Sequence, residues 1–111
     1  MLPTSGVIVR ILADLPIRTQ QSYDVLGNPL YVMFEDVINS ALDYLSKDED
    51  GFFLMAEGAH VDHGGHANDI GYMVKELLAF NAGVEVALKR AKNRTDTVII
   101  VTADHETGGL L

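Results

Sequence analysis

The sequence has no cysteine and no tryptophan, and its 111 positions include only three prolines and eight basic residues. The lack of cysteine excludes disulfide bonds and thiolate zinc sites. No apolar run approaches the roughly 20 residues that a membrane-spanning helix needs, and the N-terminus lacks a signal-peptide pattern. Sixteen acidic residues give a net charge of −8, so nucleic acid and anionic membranes are poor partners. An anionic substrate would need a bound cation to reverse the local potential.

The hydrophobic content of 48% is that of an ordinary globular domain. A short β-branched run at residues 7–12 predicts a strand, and residues 13–30 lack any period and predict connecting structure. A helix is predicted after Pro29 because apolar residues then repeat at spacings of three and four. The apolar positions of this helix are Phe34, Val37, Ile38, Ala41, Leu42 and Leu45. Residues 47–51 form a charged turn that ends in glycine.

Two further apolar runs, at residues 52–56 and 97–101, predict buried strands. Between them, a second helical pattern starts after Asn68 or Asp69, either of which can cap it. Its apolar positions are Ile70, Met73, Val74, Leu77, Val84 and Leu88. Strand, helix and strand in this order predict a parallel βαβ unit. The expected fold class is therefore α/β, a parallel βαβ-containing sheet with flanking helices.

Polar residues able to bind metal directly follow both predicted strands, at positions 57–66 and 104–105. Because ligand sites form beyond the carboxyl ends of parallel strands, both clusters are expected at one sheet edge. Asp62 and His66, four residues apart, would share one helical face and reach a single ion. Mixed Asp and His ligands favour Zn²⁺, while an added carboxylate favours Mg²⁺. Two ions about 3.5 to 4 Å apart are a standard device for phosphoryl transfer.

Simpler interpretations exist for each of these residues. An Asp-x-x-x-His match is common on helix surfaces, and Asp104-His105 could simply cap a turn. Only their joint occurrence after two strands of one unit favours metal binding. His60 is left open between packing and solvent exposure, and His63, beside Asp62, is a candidate substrate contact.

These motifs resemble those of the alkaline phosphatases. The resemblance covers residues 30–111 and is carried by Gly51-Phe-Phe-Leu-Met-Ala-Glu-Gly-Ala-His-Val-Asp-His-Gly-Gly-His66 and Val101-Thr-Ala-Asp-His-Glu-Thr-Gly-Gly109. It implies that Glu57 is a magnesium ligand and that Asp62 and His66 bind one zinc ion. It further implies that Asp104 and His105 bind a second zinc ion and that His63 contacts the substrate phosphate.

The resemblance also implies that parts of the family's site lie outside this sequence. A serine nucleophile, activated by zinc, a phosphate-binding arginine and a further aspartate lie upstream in the family, and a last zinc-binding histidine lies downstream. The chain is therefore expected to be a single partial alkaline-phosphatase-like domain over residues 1–111, in which residues 1–29 show only a faint resemblance. No serine is assigned as the nucleophile, and the chain alone is expected to have negligible activity.

The parent protein is expected to hydrolyse phosphate monoesters with two zinc ions and one magnesium ion. Phosphodiesterase or phosphomutase chemistry of the same superfamily is an alternative. A non-catalytic metal-binding or structural fragment is another. Apolar faces left uncovered predict a homo-oligomer. The resemblance suggests export of the parent protein, to the periplasm or the cell exterior.

Overall fold

A computed structural model describes residues 8–12 and 33–109. Its elements are β1 (Ile8–Leu12), α1 (Phe34–Leu45), β2 (Phe53–Glu57), α2 (Ala59–His66) and α3 (Ile70–Ala91). The predicted strand near the N-terminus and both predicted helices are confirmed. The predicted connection at residues 13–30 lies outside the described residues. Helix α2 is an additional element, and it follows β2 after a single residue, Gly58.

The core of the described part lies between α1 and α3. Phe34 and Ile38 on α1 are each only 4% exposed. The Phe34 ring meets that of Phe80 on α3 with centroids 5.7 Å apart at a tilt of 38°, a geometry favoured between aromatic rings. The apolar stripe of α1, with its three-and-four spacing, thus faces α3 as the periodicity predicts. Partly buried side chains around this core are Leu42, Ala56, Phe80 and Val86.

Gly83 allows α1 and α3 to approach closely. It is buried on α3, and a Cβ atom at this position would lie 2.5 Å from Cδ1 of Phe34. A side chain here would force Phe34 out of its place, so the glycine contributes to packing. Glycine usually lowers helix stability, and this contact explains its presence in the middle of α3.

Arg90 joins the exposed edges of the same two helices. Its guanidinium Nη2 donates hydrogen bonds to Oδ1 of Asn39 at 2.6 Å and to Oδ1 of Asp43, both on α1. The side chains of Arg90 and Asp43 are 40% and 57% exposed, so solvent screens the pair and its contribution is about 0 to 1 kcal/mol. The α1–α3 contact therefore depends mainly on its apolar face.

The turn between α1 and β2 has the features expected of residues 47–51. The backbone N–H of Asp50 donates to Oδ1 of Asp48 at 3.0 Å. Gly51 has a φ of 92°, a left-handed conformation that glycine adopts without strain. The chain then enters β2, one residue later than the apolar run begins.

The predicted βαβ unit over residues 52–101 is wrong. Residues 97–101 form no strand, and Val98 and Ile100 are 83% and 82% exposed. A strand exists only where a neighbouring strand supplies hydrogen-bond partners, and in the described part of the chain β2 pairs with β1. That pairing is parallel and sets Ile8 opposite Phe53 and Leu12 opposite Glu57.

The prediction that β2 is covered on both faces is also wrong. Its exposure alternates along the strand, with Phe53 56% and Met55 46% exposed while Leu54 and Ala56 are partly buried. Alternation is the pattern of a strand that has one face covered. An apolar run indicates that a strand can be buried on both faces, but it does not specify the layer that would cover each face.

Candidate metal and phosphate site

Asp62 and His66 lie on one face of α2, as their spacing predicts. The two side chains are one helical turn apart, and Oδ2 of Asp62 is 3.4 Å from Nε2 of His66. Helix α2 starts directly after β2, so this face stands beyond the carboxyl end of the strand. Glu57 is the last residue of β2 and lies two residues before the helix. The end of β2 and the helix α2 that follows it therefore carry all three candidate ligands of the first motif.

Close packing on α3 holds α2 in place. Gly64 is buried, and a Cβ atom there would lie 2.7 Å from the Cα and the N of Met73. Only glycine permits this approach of the two backbones. Asp69 caps α3, its Oδ1 accepting a hydrogen bond from the N–H of Tyr72 at 2.9 Å, which confirms one of the two predicted caps.

The second motif forms a compact polar turn. Oδ1 of Asp104 accepts a hydrogen bond from the backbone N–H of His105 at 3.0 Å, while its Oδ2 lies 3.2 Å from Nε2 of the same histidine. Nδ1 of His105 is 3.0 Å from the carbonyl oxygen of Glu106. This carbonyl raises the pKa of His105, and the negative charge of Asp104 raises it further. If Nδ1 carries the proton, Nε2 has its lone pair available for a ligand role.

Thr107 connects the two motifs. Its hydroxyl donates a hydrogen bond to Oδ1 of Asp62, 45 residues away in the sequence. Gly65 makes room for this contact, because a Cβ atom there would lie 3.1 Å from Cβ of Thr107. The contact brings the loop that follows Asp104 and His105 against α2, which carries Asp62. It does so without the second strand on which the predicted meeting of the two clusters depended, so that meeting stays a prediction.

The Thr107 hydrogen bond also governs the charge of Asp62. It is the largest cause that lowers the pKa of this carboxyl group, and the nearby His66, His105 and His63 lower it further. Partial burial acts in the opposite direction. Asp62 therefore stays ionised over a wider pH range than an isolated carboxyl group, which suits a metal ligand.

The separations within the two candidate ligand pairs are those of ordinary ion pairs, and they are also compatible with a shared zinc ion. Two ligand atoms, each about 2.1 Å from a tetrahedral zinc ion, stand about 3.4 Å apart. The separations of 3.4 Å in the Asp62–His66 pair and 3.2 Å in the Asp104–His105 pair are close to that spacing. In residues 8–12 and 33–109, however, no three His, Asp or Glu side chains converge on one point. The ligand assignments, including Glu57 for magnesium, remain predictions.

Glu76 and Thr107 are site residues that the sequence interpretation missed. Glu76 is 8% exposed, the single buried charged side chain among the described residues. Its Oε2 lies 3.8 Å from Nδ1 of His60, whose ring stacks on that of His63 with centroids 5.1 Å apart. A carboxylate within the stripe Met73, Glu76, Phe80 and Gly83, at spacings of three and four, was the signal available in the sequence. Thr107 gave no comparable signal.

Burial raises the pKa of Glu76, and the positive charge that His60 can carry opposes the rise. The same packing affects Tyr72, whose pKa is raised by burial and by the nearby Glu76 charge. His60 thus packs in a small polar cluster between α2 and α3, and packing is one of the two possibilities that the sequence leaves open.

A family model of alkaline phosphatases matches residues 18–111. The chain belongs to the alkaline phosphatase family. This membership establishes the α/β fold class. The match extends upstream of residue 30, into a part in which the motifs themselves show little resemblance.

Individual relatives agree with the family match. The chain is 52% identical over 66 residues to the repressible alkaline phosphatase of Saccharomyces cerevisiae, covering 59% of this chain and 12% of that protein. It is 44% identical over 104 residues to alkaline phosphatase 3 of Bacillus subtilis, covering 92% and 21%. It is 42% identical over 67 residues to the alkaline phosphatase of Escherichia coli, covering 60% and 14%. The chain thus spans between 12% and 21% of the length of these relatives.

Proposed function

We propose that this chain is part of a metal-dependent phosphatase that hydrolyses phosphate monoesters. The hydrogen bond from Thr107 to Asp62 carries the proposal, because it brings a residue of the second family motif into contact with a candidate metal ligand of the first. The site is polar and exposed, with the side chains of His66 and Asp104 69% and 84% exposed. Substrate and metal can therefore reach it from solvent.

Two zinc ions and one magnesium ion are the proposed cofactors of the complete protein. Asp62 and His66 would hold one zinc ion, Asp104 and His105 the second, and Glu57 the magnesium ion. Bound divalent cations supply positive charge that stabilises the phosphoryl oxygens during transfer. This also answers the electrostatic problem of a chain with a net charge of −8 that handles an anion.

The chain's own groups prepare the site in two ways. Thr107 keeps the Asp62 carboxylate oriented and ionised, and the carbonyl of Glu106 fixes the ring of His105. His63, exposed next to Asp62, would donate a hydrogen bond to the substrate phosphate. A serine nucleophile has no candidate in this sequence, so we expect negligible hydrolysis by the chain alone.

A chimera tests the proposed function. Residues 18–111 would replace the matching segment of Bacillus subtilis alkaline phosphatase 3, the relative that covers most of this chain among those described above. We expect hydrolysis of p-nitrophenyl phosphate that Asp104→Ala abolishes and that Asp96→Ala, at an exposed aspartate paired with Arg94, leaves intact. A folded, metal-loaded chimera that cleaves only phosphodiesters, or nothing, would contradict the proposal.

Zinc binding by the 111-residue chain is a separate test of the ligand assignments. Elemental analysis of protein never exposed to chelator should find zinc, and Asp62→Ala and Asp104→Ala should each reduce the zinc content. The same substitution at Asp96 is the control. Hydrolysis of p-nitrophenyl phosphate by the isolated chain, abolished by Asp104→Ala, would overturn the expectation that it is inactive.

We also propose a larger parallel sheet with flanking helices for the complete protein, and self-association of this chain. The parallel pairing of β1 with β2 supports the first. The second is supported by apolar side chains exposed on α3, among them Ile70, Leu77 and Leu78. Light scattering that finds a monomer at high concentration would contradict self-association.

Export of the complete protein is proposed from family membership. No helix in the described residues is long and apolar enough to cross a membrane. One relative, from Bombyx mori, is a membrane-bound alkaline phosphatase, 34% identical over 70 residues. Fractionation of cells that express the complete protein would test export.

A further inference from the structure

Glu76 is a buried carboxylate that the proposed function does not use. Its side chain is 9% exposed, and its Oε2 points to Nδ1 of His60 at 3.8 Å. Burying a carboxylate is costly unless an opposite charge or hydrogen bonds compensate. The positive charge that His60 can carry offsets part of this cost, and the contact places Glu76 against the His60 ring on the α3 side.

The His60 ring in turn supports His63. The two rings lie three residues apart on α2 and stack with centroids 5.1 Å apart and an interplanar angle of 29°. Tyr72 on α3 makes an edge contact with His60, at 6.2 Å and 76°. His60 is 18% exposed, whereas His63 is exposed. The buried Glu76 therefore contacts the packed His60 ring, and that ring contacts the exposed His63 ring, which lies at the surface beside Asp62.

We propose that Glu76 and His60 are positioning residues that fix the His63 ring for contact with a phosphate group. The phosphate role of His63 rests on the proposed function, whereas the ring packing does not. An exposed side chain loses rotamer freedom when it binds a ligand, and a preorganised ring has already lost it. Fixing one such ring corresponds to roughly 3- to 10-fold in affinity.

Histidine ring NMR tests the positioning directly. The four histidines of the chain give four ring Cε1–Hε1 signals, which single His→Gln substitutions assign. Glu76→Ala should move the signals of both His60 and His63 and leave those of His66 and His105 in place, which shows that the fold is intact. Glu85→Ala is the matched control, because Glu85 lies on α3 and pairs with the exposed Lys89.

If Glu76→Ala fails to fold, Glu76→Gln removes the charge with little change of shape and should give smaller shifts of the same two signals. Movement of the His60 signal without the His63 signal, in either variant, would overturn the positioning role.

Inorganic phosphate, titrated into the zinc-treated chain, tests the consequence. Glu76→Ala and His60→Ala should each weaken phosphate binding, followed by the His63 signal, roughly 3- to 10-fold. The double variant should be no weaker than either single one, since both act through one ring. Unchanged affinity despite a displaced His63 ring would overturn the proposal. If the parent chain shows no response to phosphate while Glu76→Ala still moves the His63 signal, the positioning stands and the proposed phosphate contact fails.

Discussion

The contact between α1 and α3 and the contact between α2 and the loop around Thr107 are built on different principles. The first consists of apolar side chains such as Phe34 and Ile38, each 4% exposed. The second consists of one part-buried hydrogen bond, from Thr107 to Asp62, beside Gly65, whose missing side chain leaves room for Thr107. The first should therefore determine whether the chain folds, and the second whether it binds metal.

The largest expected effect is that of Phe34→Ala on stability. Removing a buried ring costs the transfer free energy and leaves a cavity, together about 3 to 5 kcal/mol. Tyr44→Ala on the same helix is the control, because Tyr44 is 70% exposed. Urea unfolding measures both. Similar losses in the two variants would show that the α1–α3 contact is not the core of the described part.

Gly83→Ala should cause the next largest loss of stability. A Cβ atom would meet Phe34 at 2.5 Å, and overpacking costs about 1 to 3 kcal/mol, which exceeds the gain of up to about 1 kcal/mol in helix propensity.

Gly71→Ala, on the same helix, is the matched control for Gly83→Ala. A Cβ atom at position 71 would meet only Oδ1 of Asp69, at 3.4 Å. Helix propensity should then dominate and stabilise the chain by at most about 1 kcal/mol. Opposite signs in thermal unfolding would confirm that close helix packing explains Gly83, and equal signs would refute it.

The polar contact is tested by Thr107→Val, which keeps the shape and removes the hydroxyl that donates to Asp62. Loss of a group that orients a metal ligand typically lowers metal affinity about 10- to 100-fold. Isothermal titration with zinc measures this. Stability should change little, unlike in the Phe34 variant.

Thr102→Val is the control for Thr107→Val, because the Thr102 hydroxyl, within the described part of the chain, bonds to the neighbouring carbonyl of Ala103 and not to a candidate ligand. Equal zinc affinities in the two variants would show that the loop contact does not organise the ligand Asp62.

The elements that the sequence predicts are those that local contacts determine. The α1 stripe is predictable because a helix forms from local contacts, and its apolar spacing specifies the buried face. Residues 97–101 were misjudged because a strand depends on a partner that its own residues do not encode. Likewise, the apolar run in β2 indicates that the strand can be buried. Whether Phe53, which is 56% exposed, becomes buried depends on a covering layer that the run itself does not specify.

In the candidate site, sequence spacing predicts which side chains come together within one motif, but it does not predict the contacts between the two motifs. Asp62 and His66 are one helical turn apart, so the sequence alone brings them to one face. The Thr107 hydrogen bond spans 45 residues, and no local pattern encodes such a contact. Glu76 was detectable in principle, since it interrupts an apolar stripe, but charged residues are also common on exposed helix faces.

The smallest expected effect concerns the pH dependence that Glu76 gives to stability. Burial raises its folded-state pKa above the ordinary value of 4.5, while the charge of His60 opposes the rise. The folded chain therefore binds this proton more tightly than the unfolded chain does. The resulting stability is fully present below the unfolded pKa and is lost as pH rises through the folded pKa.

Glu76→Gln should remove this dependence. The difference in unfolding free energy between the parent chain and the variant, measured by urea unfolding from pH 4 upward, should shift against the parent as pH rises above about 4.5. Other carboxylates titrate equally in both proteins and cancel in the difference. Glu85→Gln, at an exposed position on the same helix, is the control for the removal of a carboxylate from α3. A constant difference in unfolding free energy for Glu76→Gln would mean that His60 offsets in full the cost of burying the Glu76 charge. The cluster between α2 and α3 would then accommodate a charge as readily as the exposed candidate site does.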